Sequence, residues 1–184
     1  MKSFVLFDTE FTAWKNSKKN NWSGVNQHRE IIEIAAYKIK NFEIIDTLHI
    51  YVLPTINQYL SNYTTKLTGI TNDILTKKGI SFNKAIEKLY TFSKYYKLYS
   101  YGNDWDVINE NIKINKLEVR KLKKWKQKFF DFKTFIKTNT DINPEKYSSG
   151  TIYKAFKIKA NIKQHNAMDD VKSMYLAYKK IKET

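Results

Sequence analysis

Apolar positions along the chain fall into two different periods. Ser3 to Thr9 (SFVLFDT) is a short run of apolar, β-branched and aromatic residues, which predicts a buried strand. Glu30 to Lys40 (EIIEIAAYKIK) and Phe42 to Leu53 (FEIIDTLHIYVL) predict two further strands meeting in a tight hairpin near Asn41. Pro54 ends the second of these, because proline has no N–H to give a ladder. Between the first strand and the hairpin, Trp14 to His28 (WKNSKKNNWSGVNQH) is polar and reads as a loop holding two tryptophans. From Tyr59 to Ile70 the text turns helical and then loop-like at Leu67-Thr68-Gly69-Ile70. Phe82 to Tyr95 puts Ala85, Ile86, Leu89, Tyr90 and Phe92 on one face of an amphipathic helix. Lys97 to Tyr101 predicts a second short central strand, followed by Gly-Asn-Asp and a helix from about Trp105. Phe129 to Phe132 predicts one more strand, and helices at about Ser149 to Lys157 and Asn166 to Lys182 complete the pattern. The fold class that follows is α/β: a mixed central sheet of about five strands flanked by helices, in one domain over residues 1–184.

Composition narrows the class. With 184 residues, 42% hydrophobic and 15% aromatic, the chain can bury one sizeable core. The absence of cysteine excludes disulfides, thiolate metal sites and cysteine nucleophiles. No run approaches the roughly 20 apolar residues of a membrane span, and MKSFVLFDTE does not read as a signal peptide, so a cytoplasmic location without a membrane partner is expected. The formal charge of +15 attracts polyanions. Lysines that only solvate the surface would give the same count, so charge names a class of partner and no chemistry.

Chemistry enters with the acids. Asp8 and Glu10, in FVLFDTEFT, alternate along a strand and so project side by side. Such a pair repels and loses hydration unless a divalent cation neutralises it; the alternative is a frayed strand end with both acids in water. Asp104, in YSYGNDWDVINEN, follows the second central strand where a helix should begin, a position equally suited to an N-cap, with Asp106 as a neighbour of the same type. His165-Asn166-Ala167-Met168-Asp169-Asp170 opens the last helix, whose buried stripe is Ala167, Val171, Met174, Tyr178 and Ile181. Asp170 borders that stripe and Asp169 points further round towards solvent; both also suit a helix N-terminus.

Taken in order, D-x-E, G-N-D and H-x-x-x-x-D resemble the DEDDh (DnaQ-like) 3′–5′ exonucleases of the RNase H-like superfamily, and the resemblance spans almost the whole chain. Arg29-Glu30-Ile31-Ile32-Glu33-Ile34-Ala35 is similar to that family's second strand, Leu67-Thr68-Gly69-Ile70 to its substrate-side loop, and Ser149-Gly150-Thr151 to the segment before its final motif. The D-T-E-F-T opening looks closest to the branch with histone-mRNA and small-RNA exonucleases and their bacterial relatives.

The resemblance implies Asp8, Glu10, Asp104 and Asp170 as ligands of two Mg²⁺ ions, Mn²⁺ substituting, with Asp8 shared, and His165 as general base. It implies release of nucleoside 5′-monophosphates from the 3′ ends of single-stranded RNA or DNA, RNA being favoured by the branch. Phe11 and Thr12 would lie against the terminal nucleotide, with Thr68 and Ile70 in the same pocket; a core position for Phe11 is the alternative. Trp14 and Trp22 either gate the site or anchor their loop, and the stretch Lys113 to Lys128 is either a phosphate-facing arm or a solvated helix face. A non-catalytic nucleic-acid-binding module, an RNase H-like endonuclease and a scavenger of short oligonucleotides are the rival readings. Four acids are superfluous for binding alone, the His165 to Asp170 spacing favours the exonuclease over the endonuclease, and the basic charge disfavours the scavenger.

Overall fold

The computed structural model describes residues 3–118 and 124–183. Its strands are β1 (Ser3–Phe11), β2 (Ile31–Lys40), β3 (Glu43–Leu53), β4 (Gly79–Ser81), β5 (Leu98–Ser100) and β6 (Phe129–Asp131). Its α-helices are α1 (Asn62–Thr68), α2 (Asn72–Lys78), α3 (Phe82–Ser93), α4 (Asp104–Ile114), α5 (Phe132–Asn139) and α6 (Ala167–Glu183), with a 3₁₀ turn at Ser149–Phe156. The strands form one mixed sheet in the order β4-β3-β2-β1-β5-β6. β1, β2 and β3 are antiparallel, whereas β5 runs parallel to β1, β6 to β5 and β4 to β3. The β2–β3 hairpin turns through Asn41 and Phe42, both at positive φ (49° and 72°), the pairing that matches the right-handed twist of the flanking strands.

The alternation along β1 sorts the core into two layers. Val5 and Phe7 pack with Phe82, Ala85 and Leu89 of α3 and Ile108 of α4. Phe4 and Leu6 point the other way, onto Phe132 and Ile136 of α5 and Val171, Met174 and Tyr178 of α6. Each fully buried side chain of this size contributes about 1.5–3 kcal/mol relative to exposure, so β1 is clamped on both faces. A third cluster, Ile32, Leu60, Ile70 and Leu75, lies under α1 and α2.

Several local expectations need correction. The sheet has six strands, not about five: β4 is a three-residue edge strand with too little text to show a period. α2 was not anticipated either; Thr71 starts it by accepting the Ile74 amide. Phe132 begins α5 instead of ending β6, because Asp131 caps that helix through the Lys133 amide. The segment near residue 150 is a 3₁₀ turn and not an α-helix. Among the described residues no helix is long and apolar enough to cross a membrane.

Candidate active site

The site grows out of the two-layer logic of β1. Asp8 and Glu10 continue the Phe4–Leu6 side of the strand, under the start of α6, and are only 6% and 8% exposed. A bulge after Glu10 re-aims the strand at this point. From α6, Asp170 (4% exposed) descends onto the pair, and oxygens of Asp8, Glu10 and Asp170 lie within 4.8 Å of one another. The Ser149 hydroxyl donates to Asp170 Oδ2 at 2.7 Å, while Asp170 Oδ1 is buried with no hydrogen-bond partner among the described residues. Asp170 fits there because residue 150 is glycine: a Cβ at Gly150 would overlap Asp170 Oδ1.

Asp104 arrives from the opposite layer. It is the first residue of α4, with Asn103 at the N-cap, and its Oδ1 accepts from the Thr9 hydroxyl at 2.6 Å. Thr9 points away from Asp8 and Glu10 on the same strand, so it joins the two layers near the C-terminal end of β1. Asp104 lies beside the close trio and not within it. Asp106 is exposed, bonded by the Asn103 side chain, and lines a neighbouring cavity that does not reach the trio. Asp169 holds the preceding loop by accepting the Lys163 amide at 3.1 Å, rather than simply facing solvent.

The acids strain one another. Burial, then the charges of Asp170, Asp104 and Glu10, raises Asp8 well above the usual carboxylate range. Burial and the Asp170 charge, with smaller contributions from Glu33 and Asp104, push Glu10 to about 9. Burial takes Asp170 to about 7 against the Ser149 hydrogen bond, and Asp104 to about 6 against those from Thr9 and Ser100. A cluster of hard oxygen donors with a buried orphan oxygen and strong mutual repulsion fits a divalent cation of the Mg²⁺ or Mn²⁺ type.

All four acids open into one cleft of about 330 Å³, whose walls include Phe11, Lys18, Arg29 and His165. His165 is exposed, in the left-handed conformation (φ 61°) at the turn before α6. Desolvation against the cleft wall, and then the Lys18 charge, lower its pKa from 6.5. The structure therefore gathers Asp8, Glu10, Asp104, Asp170 and His165 around one cavity.

Of the four expected substrate contacts, Phe11 alone lines it. Thr12 is buried and closes the neck of the 12–30 loop, its hydroxyl donating to the His28 carbonyl and accepting the Glu30 amide. Thr68 is buried and bonded to the Thr64 carbonyl and the Ile70 amide, and Ile70 belongs to the third apolar cluster. Trp22 anchors its loop, packing edge-on to Phe11 and donating Nε1–H to the Thr12 carbonyl at 3.1 Å. The Trp14 amide is held by Ser17 Oγ at 2.6 Å. In the Lys113–Lys128 stretch residues 119–123 lie outside the described residues; Trp125 is core, donating to Ser93. The Ser149-Gly150-Thr151 segment is noted in the sequence only for its resemblance; the service of Ser149 and Gly150 to Asp170, and of Thr9 to Asp104, has no mark in the local text.

Gly150→Ala tests the geometry of the trio. The added methyl must displace Asp170, at a stability cost of about 1–3 kcal/mol for overpacking. Calorimetric titration with Mn²⁺ is expected to show weakened binding in this variant.

Comparison with known proteins gives the fold and the family. The chain is 36% identical over 114 residues to the PolC-type DNA polymerase III of Caldanaerobacter subterraneus, a match that covers 62% of this chain and 7% of that much longer protein. A 3′-exonuclease in a structure of 3′-end-specific recognition of histone mRNA stem-loop has TM-score 0.74 at 20% identity, over 99% of this chain and 64% of that one. The nuclease domain of 3′hExo, a DEDDh family member bound to rAMP, has TM-score 0.70 at 20% identity, over 99% of this chain and 92% of that domain. At these identities the structures establish the RNase H-like exonuclease fold. The exonuclease family model of RNase T type matches from residue 5 to residue 178, and the chain accordingly belongs to that exonuclease family.

Proposed function

We propose that the chain is a divalent-metal-dependent 3′–5′ exonuclease releasing nucleoside 5′-monophosphates from the 3′ ends of single-stranded nucleic acid, RNA favoured over DNA. The observation that carries this reading is the trio Asp8, Glu10 and Asp170, desolvated at the floor of an open cleft with one oxygen left without a partner. Asp8, Glu10 and Asp170, with Asp104 beside them, would hold Mg²⁺, and Mn²⁺ would substitute. Bound there, the cation would neutralise the carboxylates and the phosphate and would make a bound water more acidic.

The remaining groups have separate tasks. His165 stands at the cleft mouth and, with its pKa below 6.5, is neutral at physiological pH and able to accept the water's proton. Phe11, braced by Trp22, offers a ring on which a terminal base stacks, worth about 1–3 kcal/mol. Lys18 adds positive charge to a wall that would otherwise repel phosphate, while the Arg29 guanidinium on the same wall is paired with Glu110 at 2.8 Å. His165→Ala is expected to lose about 10²–10⁴ in kcat. The acid limb of its pH–rate profile should move to higher pH, where hydroxide restores part of the rate; an unchanged profile would show that His165 is not the base.

The deciding experiment is degradation of 5′-labelled single-stranded RNA and DNA of one sequence with Mg²⁺, Mn²⁺ or EDTA. A metal-dependent ladder shortening from the 3′ end is the expected result, faster on RNA. Faster DNA degradation would align the chain with the polymerase relatives instead. Intact substrate with every metal would reduce the protein to a nucleic-acid-binding module on the same fold.

A further inference from the structure

Glu33 is a fifth carboxylate near the site, fully buried and yet neither in the trio nor on the cleft wall. It sits on β2 directly across from Glu10. Its Oε2 accepts the amide N–H of Ala167, the first residue of α6, at 3.0 Å, and its Oε1 meets His49 Nε2 of β3 at 2.6 Å. One carboxylate thus ties the central antiparallel strands to the helix that delivers Asp170. That helix already has a local cap, the Asn166 side chain accepting the Asp169 amide at 3.1 Å. That cap does not reach the Ala167 amide, whose partner is supplied by a strand 134 residues away.

Its chemistry also argues against a casual core contact. A buried carboxylate is costly unless its oxygens are bonded, and Glu33 has both oxygens committed. Its charge further raises Glu10 and Asp170, so the fold tolerates extra repulsion to keep it there.

We propose that Glu33 is a positioning residue for the cation site: through the Ala167 amide it fixes the start of α6, and so sets Asp170 at cation-holding distance from Asp8 and Glu10. The inference rests on the exonuclease reading of the same cleft. The tie acts through shape and hydrogen bonding, so a side chain that keeps the acceptor should keep the function.

The test is calorimetric titration of the full chain with Mn²⁺ in the absence of nucleic acid, alongside kcat and KM on a single-stranded oligonucleotide. Glu33→Ala should weaken Mn²⁺ binding by about 10–100-fold, the usual effect of removing an outer partner of a metal site, and lower kcat with KM near the parent's. Glu33→Gln, which retains the acceptor for Ala167, should recover most of both. A folded Glu33→Ala protein that binds Mn²⁺ as the parent does overturns the proposal, and so does a Gln variant as impaired as the Ala one, which would assign the effect to charge. Should the Ala variant not fold, Glu33→Asp, one methylene too short to reach both partners, is read by the same titration; affinity equal to the parent's overturns the proposal. A parent that binds no Mn²⁺ and cuts nothing would instead remove the exonuclease reading itself, and this inference with it.

Discussion

Asp8→Asn is expected to abolish hydrolysis while making the metal-free protein more stable. Both effects come from one feature, a carboxylate buried among other carboxylates. Loss of a metal ligand forfeits several kcal/mol of transition-state charge stabilisation; at about 1.4 kcal/mol per tenfold, about 4 kcal/mol is roughly a thousandfold in rate. Stability moves the other way, because Asp8 is desolvated and repelled by Asp170, Asp104 and Glu10 in the folded state but not in the unfolded chain. Asparagine has nearly the same shape and no charge to repel. Thermal melts in EDTA should therefore show a higher Tm for the variant than for the parent. A lower Tm would mean that Asp8 is a structural acid. Full activity in a preparation free of contaminating nuclease would end the metal-ligand assignment.

The second large effect is a reversal of pH dependence by cation. Burial pushes Glu10, Asp170 and Asp104 up to about 9, 7 and 6, from ordinary values of 4.5, 3.8 and 3.8. The native state therefore holds more protons than the unfolded chain between about pH 4 and pH 9, and metal-free stability falls as pH rises through that window. A cation competes with those protons, so it binds better at the alkaline end. At a hundred times its dissociation constant it adds about 2.7 kcal/mol. For a domain of this size that is about 5–10 °C in Tm. Melts at pH 8 should show this rise with Mg²⁺ or Mn²⁺, melts at pH 5 little of it, and Asp8→Asn almost none. A Tm indifferent to both ions at pH 8 would mean that the acids do not form a cation site.

Much of this arrangement can be read from local text. β1 and the hairpin show in their runs of apolar residues, Asn41 in its tolerance of positive φ, and the pairing of Asp8 with Glu10 in the two-residue period of a strand. The legible features share one property: each depends on residues a few positions apart. What was not legible depends on partners far away. β4 exists only because β3 offers an edge to three residues, Gly79–Ser81. Thr12 and Thr68 look like polar residues available to a substrate, and only the closed fold shows their hydroxyls spent on neighbouring backbone. Glu33 reads as a polar interruption of an apolar strand until α6 and His49 are in place around it. Asp104 looks equally like a cap in the text; in the fold it is the first residue inside α4, after Asn103, and its carboxylate accepts from Thr9.

The close acidic trio draws two members from the first strand and the third from the last helix. During synthesis β1 leaves the ribosome long before α6 has been translated, so the emerging polypeptide carries Asp8 and Glu10 with no Asp170 to complete them. Until α6 has emerged, the proposed cation centre cannot form. Fragments that have lost α6 to a protease are expected to lack the centre likewise, because the first strand supplies two of the three clustered carboxylates. Competence is confined to molecules in which the first strand and the last helix have met.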